Sequence, residues 1–172
     1  MARFFTRWDK SHWDAATRIL RYLKGTKYHR LTYRPAGEVK VVGYSDADWA
    51  ADTKTRQSTS GMMFLLNKTP FSWATQKQPC VSTSNTEAEY VAIMLAAKEA
   101  VWFTYLLDDM GFTMQNRMPI KIDSTGALDT VKNPEHHKLT KHIHVRHHAV
   151  RRLYDLGIIG FQKVGTDRKS VV

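Results

Sequence analysis

Val39-Lys40-Val41-Val42-Gly43-Tyr44-Ser45-Asp46 is an apolar, β-branched run that stops on an acid. Valine and tyrosine favour a pleated strand and aspartate is depleted there, so an Asp closing such a run marks a turn or a site. The pattern returns in Pro119-Ile120-Lys121-Ile122-Asp123. Between the two runs, Asn85-Thr86-Glu87-Ala88-Glu89-Tyr90 opens a long helical stretch. Two strands that end on Asp, with an early-helix Glu between them, predict that Asp46, Glu89 and Asp123 converge at one edge of a sheet. Converging carboxylates repel one another and ordinarily persist around a divalent cation. Oxygen-only ligation favours Mg²⁺ or Mn²⁺ over zinc. Taken singly, each acid also fits a plain role: strand-end turn residues for the two Asp, and a solvated acid favoured by the helix dipole for Glu89.

Outward from the first run, Gly61–Leu66 and Phe71–Ala74 read as two further strands joined by Asn67-Lys68-Thr69-Pro70, giving an antiparallel three-strand meander. Asp48 and Asp52 are expected in loops. The helix predicted over 85–110 starts in Ser84-Asn85-Thr86-Glu87, a capping box in which Glu87 bonds back to the cap, and Gly111 stops it. Glu87 and Glu89 are two positions apart and point to different sides of the helix, so the capping role of Glu87 leaves Glu89 as the candidate ligand. Ala88, Ala92, Ala96 and Ala100 recur every four residues, a small-residue stripe that lets the helix lie close to a sheet. A short helix near 126–132 ended by Asn133-Pro134, a helix over 140–156 stopped by Gly157, and a strand over Ile158–Val164 complete a βββ-α-β-α-α-β order. Ahead of it, residues 11–24 form an amphipathic helix, capped by Ser11 with Asp14 in its first turn and ended by Gly25. Its apolar stripe is Ala16, Ile19, Leu20 and Leu23.

With 172 residues and 42% apolar content the chain fits one domain with an arm, divided as 1–37 and 38–172. Its net charge of +10 and pI near 9.8 point to a polyanionic partner, most often nucleic acid. Residues 1–40 hold ten Lys/Arg against three acids. The single Cys80 excludes an internal disulfide and fits a reducing compartment. The first residues lack the apolar core of a secretory signal and no run is expected to span a membrane, so an intracellular location, cytoplasmic or nuclear, is anticipated.

The ordered segments Tyr44-Ser45-Asp46-Ala47-Asp48-Trp49-Ala50, Arg56-Gln57-Ser58-Thr59-Ser60-Gly61, Ser72-Trp73, Lys77-Gln78-Pro79, Ser84–Tyr90 and Lys141-His142-Ile143 cover nearly the whole chain. Together they resemble the ribonuclease H domain of copia-type retrotransposon polyproteins. His12–Ala16 and Leu20–Thr26 resemble the segment connecting it to reverse transcriptase. The resemblance implies a ribonuclease-H-like α/β fold, a mixed five-stranded sheet flanked by helices. It also implies cleavage of the RNA strand of RNA–DNA hybrids during reverse transcription, with two Mg²⁺ ions held by four acids. Asp46, Glu89 and Asp123 match three of these. The fourth, in a short helix after the last strand, has no counterpart in Val164–Val172, where Asp167 stands too early. The family's Cys-Asp-Asn is here Ile122-Asp123-Ser124, and His144 stands where an acid is usual. A second reading is a non-catalytic remnant that binds nucleic acid or protein.

Six of the eight histidines fall between 136 and 148. His144 and His148 share a helical face and have zinc-compatible spacing, but no Glu supports a zinc-protease pattern and no cysteine pair exists. The same stretch reads better as a basic helix, with Lys138, Lys141, Arg146, Arg151 and Arg152. Lys141, Arg146 and Arg151, with Arg18, Arg21 and Lys24 of the arm, are the expected phosphate contacts. Trp73 and Trp49 are expected in the core.

Overall fold

The computed structural model describes residues 6–34, 37–112, 116–132 and 141–165, with side chains in the last segment from His148 onward. The chain divides into two compact units, residues 1–32 and 33–172.

The first unit is built on α1 (Lys10–Thr26). Its cap is Asp9 and not Ser11: the Asp9 carboxylate accepts from the His12 amide at 3.1 Å, and His12 Nδ1 accepts from the Asp9 amide at 3.2 Å. Ser11 instead donates its hydroxyl to Asp9 at 2.6 Å. The earlier start leaves no acid, and hence not Asp14, in the first turn. Gly25 stays helical, because Lys27 closes the helix in the right-handed region and no left-handed residue is needed. Ile19, Leu20 and Leu23 are all exposed.

The second unit carries a five-stranded sheet in the order β3-β2-β1-β4-β5. Its strands are β1 (Val41–Asp48), β2 (Thr59–Leu66), β3 (Thr69–Lys77), β4 (Met118–Ile122) and β5 (Ile159–Lys163). β1, β2 and β3 pair antiparallel as the expected meander, while β4 runs parallel to β1 and β5 parallel to β4. The strands outrun their predicted bounds. The β2–β3 connection needs only Asn67 and Lys68, both at positive φ (47° and 72°), the twist that suits a two-residue hairpin. Pro70 is tolerated because β3 is an edge strand. Asp48 lies within β1, paired with Thr59, and not in a loop.

Among the described residues, three helices accompany the sheet: α2 (Asn85–Asp109), α3 (Thr125–Lys132) and α4 (Lys141–Asp155). The alanine stripe of α2 is fully buried at 88, 92, 96 and 100, and the helix packs on β1 and β2. Contrary to the expectation that no run could span a membrane, α2 is long and apolar enough to do so by length and composition. Its apolarity is that of a core helix, since Tyr90, Ile93, Ala96, Ala97 and Phe103 join Phe64, Ile120 and Ile159 in the main cluster. Gly43 exists to admit Phe64, whose ring a Cβ at 43 would meet at 2.7 Å. Gly157, at φ +76°, closes α4 with the Gly157 and Ile158 amides donating to the Tyr154 and Leu153 carbonyls.

Neither tryptophan is core. Trp73 is 64% exposed and Trp49 48%. Residue alternation explains the first. The register places Tyr44, Met63 and Trp73 in one row across β1, β2 and β3, one step off the buried row of Gly43 and Phe64. Lys121 joins that outer row, its Nζ 5.3 Å from the Tyr44 ring centre.

Candidate metal centre

Register brings the two aspartates together. β1 and β4 are parallel with Tyr44 opposite Lys121, so a step of two residues along each strand brings Asp46 level with Asp123. β4 ends at Ile122, and Asp123 lies between the strand and α3, immediately before Ser124. The Ser124 hydroxyl accepts from the Ala127 amide at 3.2 Å, which caps α3 and fixes where Asp123 leaves the sheet. Glu89 arrives from the second turn of α2.

Two contacts set that turn. Ser84 Oγ accepts from the Glu87 amide at 3.1 Å. Glu87 reaches back one residue further than expected: its Oε2 accepts from the amide and hydroxyl of Thr83, at 2.8 and 2.6 Å, and not from the cap amide of Ser84. Glu87 is thereby occupied structurally and Glu89 turns inward. Against α3, Thr86 packs so closely on Gly126 that a Cβ at 126 would lie 3.1 Å from its hydroxyl.

The outcome is one cluster. Each of Asp46, Glu89 and Asp123 offers a carboxylate oxygen within 4.8 Å of the others. Glu89 is buried, Asp123 half-buried and Asp46 exposed. An all-oxygen set of this size, with one buried carboxylate and one open to solvent, fits a hard divalent cation.

A buried polar network at the same end of the sheet had no assigned role in the sequence. Gln78, which follows β3, is 3% exposed. Its Nε2 donates to Ser60 Oγ and to the Ala88 carbonyl, both at 2.9 Å, and its Oε1 accepts from Ser82 Oγ at 2.7 Å. Its amide donates to the Ser58 carbonyl. Around it the 49–58 loop is fastened to 77–82. Trp49 Nε1 donates to the Ser82 carbonyl at 3.1 Å, Gln57 Nε2 to the Pro79 carbonyl at 3.0 Å, and Lys77 pairs with Asp52 at 2.6 Å. The loop carries Ala50 and Arg56 at positive φ. The signal in the sequence was a Gln directly after a strand, flanked by Ser58, Ser60 and Ser82. It could not be read, because nothing in spacing tells which hydroxyls meet it.

The expected phosphate contacts lie on α1 and α4. Arg18, Arg21 and Lys24 are exposed on α1. Arg151, half-buried, is paired with Asp155 at 3.6 Å one turn on. Lys141 and Arg146 lie on α4, but their side chains, with that of His144, are outside the described residues, as are Lys138, Asn133, Pro134 and Asp167.

No protein-family model matches the chain. Among curated proteins it is 36% identical, over 97% of its length, to the retrovirus-related Pol polyprotein from transposon TNT 1-94 of Nicotiana tabacum. It is equally identical, over 90% of its length, to that from transposon RE2 of Arabidopsis thaliana. The chain spans only 12% and 11% of those proteins' lengths. Over 55% of its length it is 51% identical to secreted RxLR effector protein 161 of Plasmopara viticola, covering 66% of that protein. Among solved structures, LC11-RNase H1 in complex with an RNA/DNA hybrid superposes with a TM-score of 0.54 at 12% identity, over 76% of this chain and 89% of the other. LC11-RNase H1 in a separate structure gives 0.56 at 16%, over 76% and 88%.

Proposed function

Because the chain is homologous to a segment of the retrovirus-related Pol polyproteins of transposons and has the ribonuclease H fold, we propose that it is the ribonuclease H domain of a copia-type element. Its substrate is then the RNA strand of an RNA–DNA hybrid, cut with Mg²⁺ or Mn²⁺ during reverse transcription. The reverse transcriptase domain of the same polyprotein is its natural neighbour.

The carrying observation is the cluster of Asp46, Glu89 and Asp123 within 4.8 Å. Bound divalent cations would supply an activated water and neutralise charge at the scissile phosphate. The residues provide the frame. Glu89, locked in α2 and buried, fixes the inner wall. Asp123 is set by the end of β4 and the cap of α3. Asp46, exposed, faces the side from which a phosphodiester can approach. An exposed acid beside a strongly basic chain is an arrangement that admits a polyanion yet holds cations at the cutting point.

One observation favours the second reading, a module that binds without cutting: the net charge of +10 suits a polyanionic partner whether or not the centre cuts it. A single assay separates the two. A hybrid labelled on the RNA strand is incubated with the protein and Mg²⁺ or Mn²⁺, beside Asp46→Asn, Glu89→Gln and Asp123→Asn. Cleavage by the parent chain, abolished in all three variants, is expected. Binding without cleavage under either metal would favour the second reading, and cleavage surviving all three substitutions would dismiss this centre.

A further inference from the structure

We infer that Gln78 is a positioning residue for the metal centre, holding the turn of α2 that carries Glu89 against the end of β2 beside Asp46; this rests on the metal-dependent reading above. Gln78 is nearly sealed from solvent, and its side-chain hydrogen bonds join three separate pieces of chain. Its amide group donates at once to Ser60 on β2 and to the carbonyl of Ala88. Its oxygen takes the Ser82 hydroxyl from the loop before α2. Ala88 is the residue immediately before Glu89, and Ser60 pairs with Ala47, immediately after Asp46. One side chain therefore sets the distance between the backbone neighbours of two of the three acids.

A carbonyl inside a helix has a second lone pair beyond the helical ladder, and Gln78 uses the one on Ala88. That bond points across the sheet end, not along the helix, so it resists sliding and rolling of the turn that the helix's own bonds permit. Without it, α2 would remain helical and packed through its alanines, but the Glu89 carboxylate would be free to drift relative to Asp46. Groups that orient metal ligands from behind are worth roughly 10- to 100-fold in metal affinity or activity. A glutamine is suited to the task because it bears no charge that would compete with the acids for cation.

The test uses the full chain with Gln78→Met, which keeps length and removes every side-chain hydrogen bond of the network's hub, and Ser60→Ala, which removes only one of them. Phe64→Leu serves as a control that loosens the core without touching the network. Mn²⁺ binding is measured by calorimetry in the absence of nucleic acid. Hybrid cleavage is resolved into kcat and KM, well below each melting temperature. Gln78→Met should weaken Mn²⁺ binding by about tenfold or more and lower kcat comparably, with KM nearly unchanged and with a smaller shift in the same direction for Ser60→Ala. Phe64→Leu should lower the melting temperature and leave Mn²⁺ affinity alone. Should Gln78→Met not fold, Ser60→Ala carries the test. The idea is overturned if the folded network variants bind Mn²⁺ like the parent, or if Phe64→Leu loses affinity equally. If the parent neither binds Mn²⁺ nor cleaves, the metal-dependent reading falls as well; if the parent cleaves and Gln78→Met cleaves as fast, only the role of Gln78 falls.

Discussion

Glu87 and Glu89 lie two positions apart on one helix and meet opposite fates. Glu87 holds the amide and hydroxyl of Thr83, so Glu87→Gln, which keeps an acceptor oxygen, should cost less than about 1 kcal/mol in denaturant unfolding and preserve cleavage. Glu89→Gln should abolish cleavage and yet leave the fold intact in a melting comparison, since an amide of nearly the same size fills the same buried space. A reversed pattern would exchange their roles. At Asp9, hydrogen bonds from the Ser11 hydroxyl and the His12 amide lower the carboxyl from 3.8 to about 2. A depressed carboxylate contributes its capping fully above its unfolded value and loses it as pH falls through the folded one. The start of α1 should therefore hold above pH 4 and fray between about 4 and 2. The Asp9 carboxyl shift, followed by NMR, should titrate near the lower value, and a midpoint near 3.8 would refute the cap. Burial raises the Tyr90 phenol, so its contribution is complete below pH 10 and is lost as the medium becomes more alkaline.

Between elements, close approach decides what a glycine is for. Gly126→Ala would set a methyl 3.1 Å from the Thr86 hydroxyl and push α3 from the first turn of α2. A loss of about 1–3 kcal/mol is expected, most of it returned by adding Thr86→Ala, which a double-mutant cycle in urea would measure. Additive losses would mean that the two residues do not meet. The same scale bounds what the sequence could tell. The three acids were legible because depletion of Asp from strands and the two-residue offset of the glutamates are local signals. So was the alanine stripe, being periodic. The fastening of Gln78 to Ser60, Ala88 and Ser82 was not, because it joins positions 10 to 18 residues apart with one closer hydroxyl, and no period links them. Trp73 misled for a related reason: its strand was read correctly, but which face of an edge strand is covered depends on the neighbours that reach it. The cap of α1 misled because Asp9, Ser11 and His12 all suit a helix start, and only geometry shows that Ser11 serves Asp9 instead of the backbone.

For the molecule as a whole, a net charge of +10 predicts binding of hybrid and duplex that falls steeply with salt, as neutralised phosphates release counterions. Replacing Arg18, Arg21 and Lys24 together by Glu should weaken binding and flatten the logarithmic salt slope, by about one for each phosphate that is no longer neutralised. Arg151→Glu should do less, because that guanidinium is already engaged by Asp155. Fluorescence anisotropy across a salt series would read both, and an unchanged slope in the triple variant would remove the arm from the footprint.

The parallel pairing of Tyr44 with Lys121 also bears on time. That pairing spans 77 residues, whereas the β1–β2–β3 meander closes through the 49–58 loop and the two-residue turn at Asn67 and Lys68. Long-range pairing of this kind forms late, after the entropy of closing a large loop has been met. At translation speeds of about 5–20 residues per second, several seconds separate the emergence of Asp46 from that of Asp123. A nascent chain holding only β1 to α2 possesses two of the three acids and no fixed distance to the third. Any cutting by this centre would have to wait for β4 to dock, so a nascent chain that stops short of Asp123 lacks the complete set of acids.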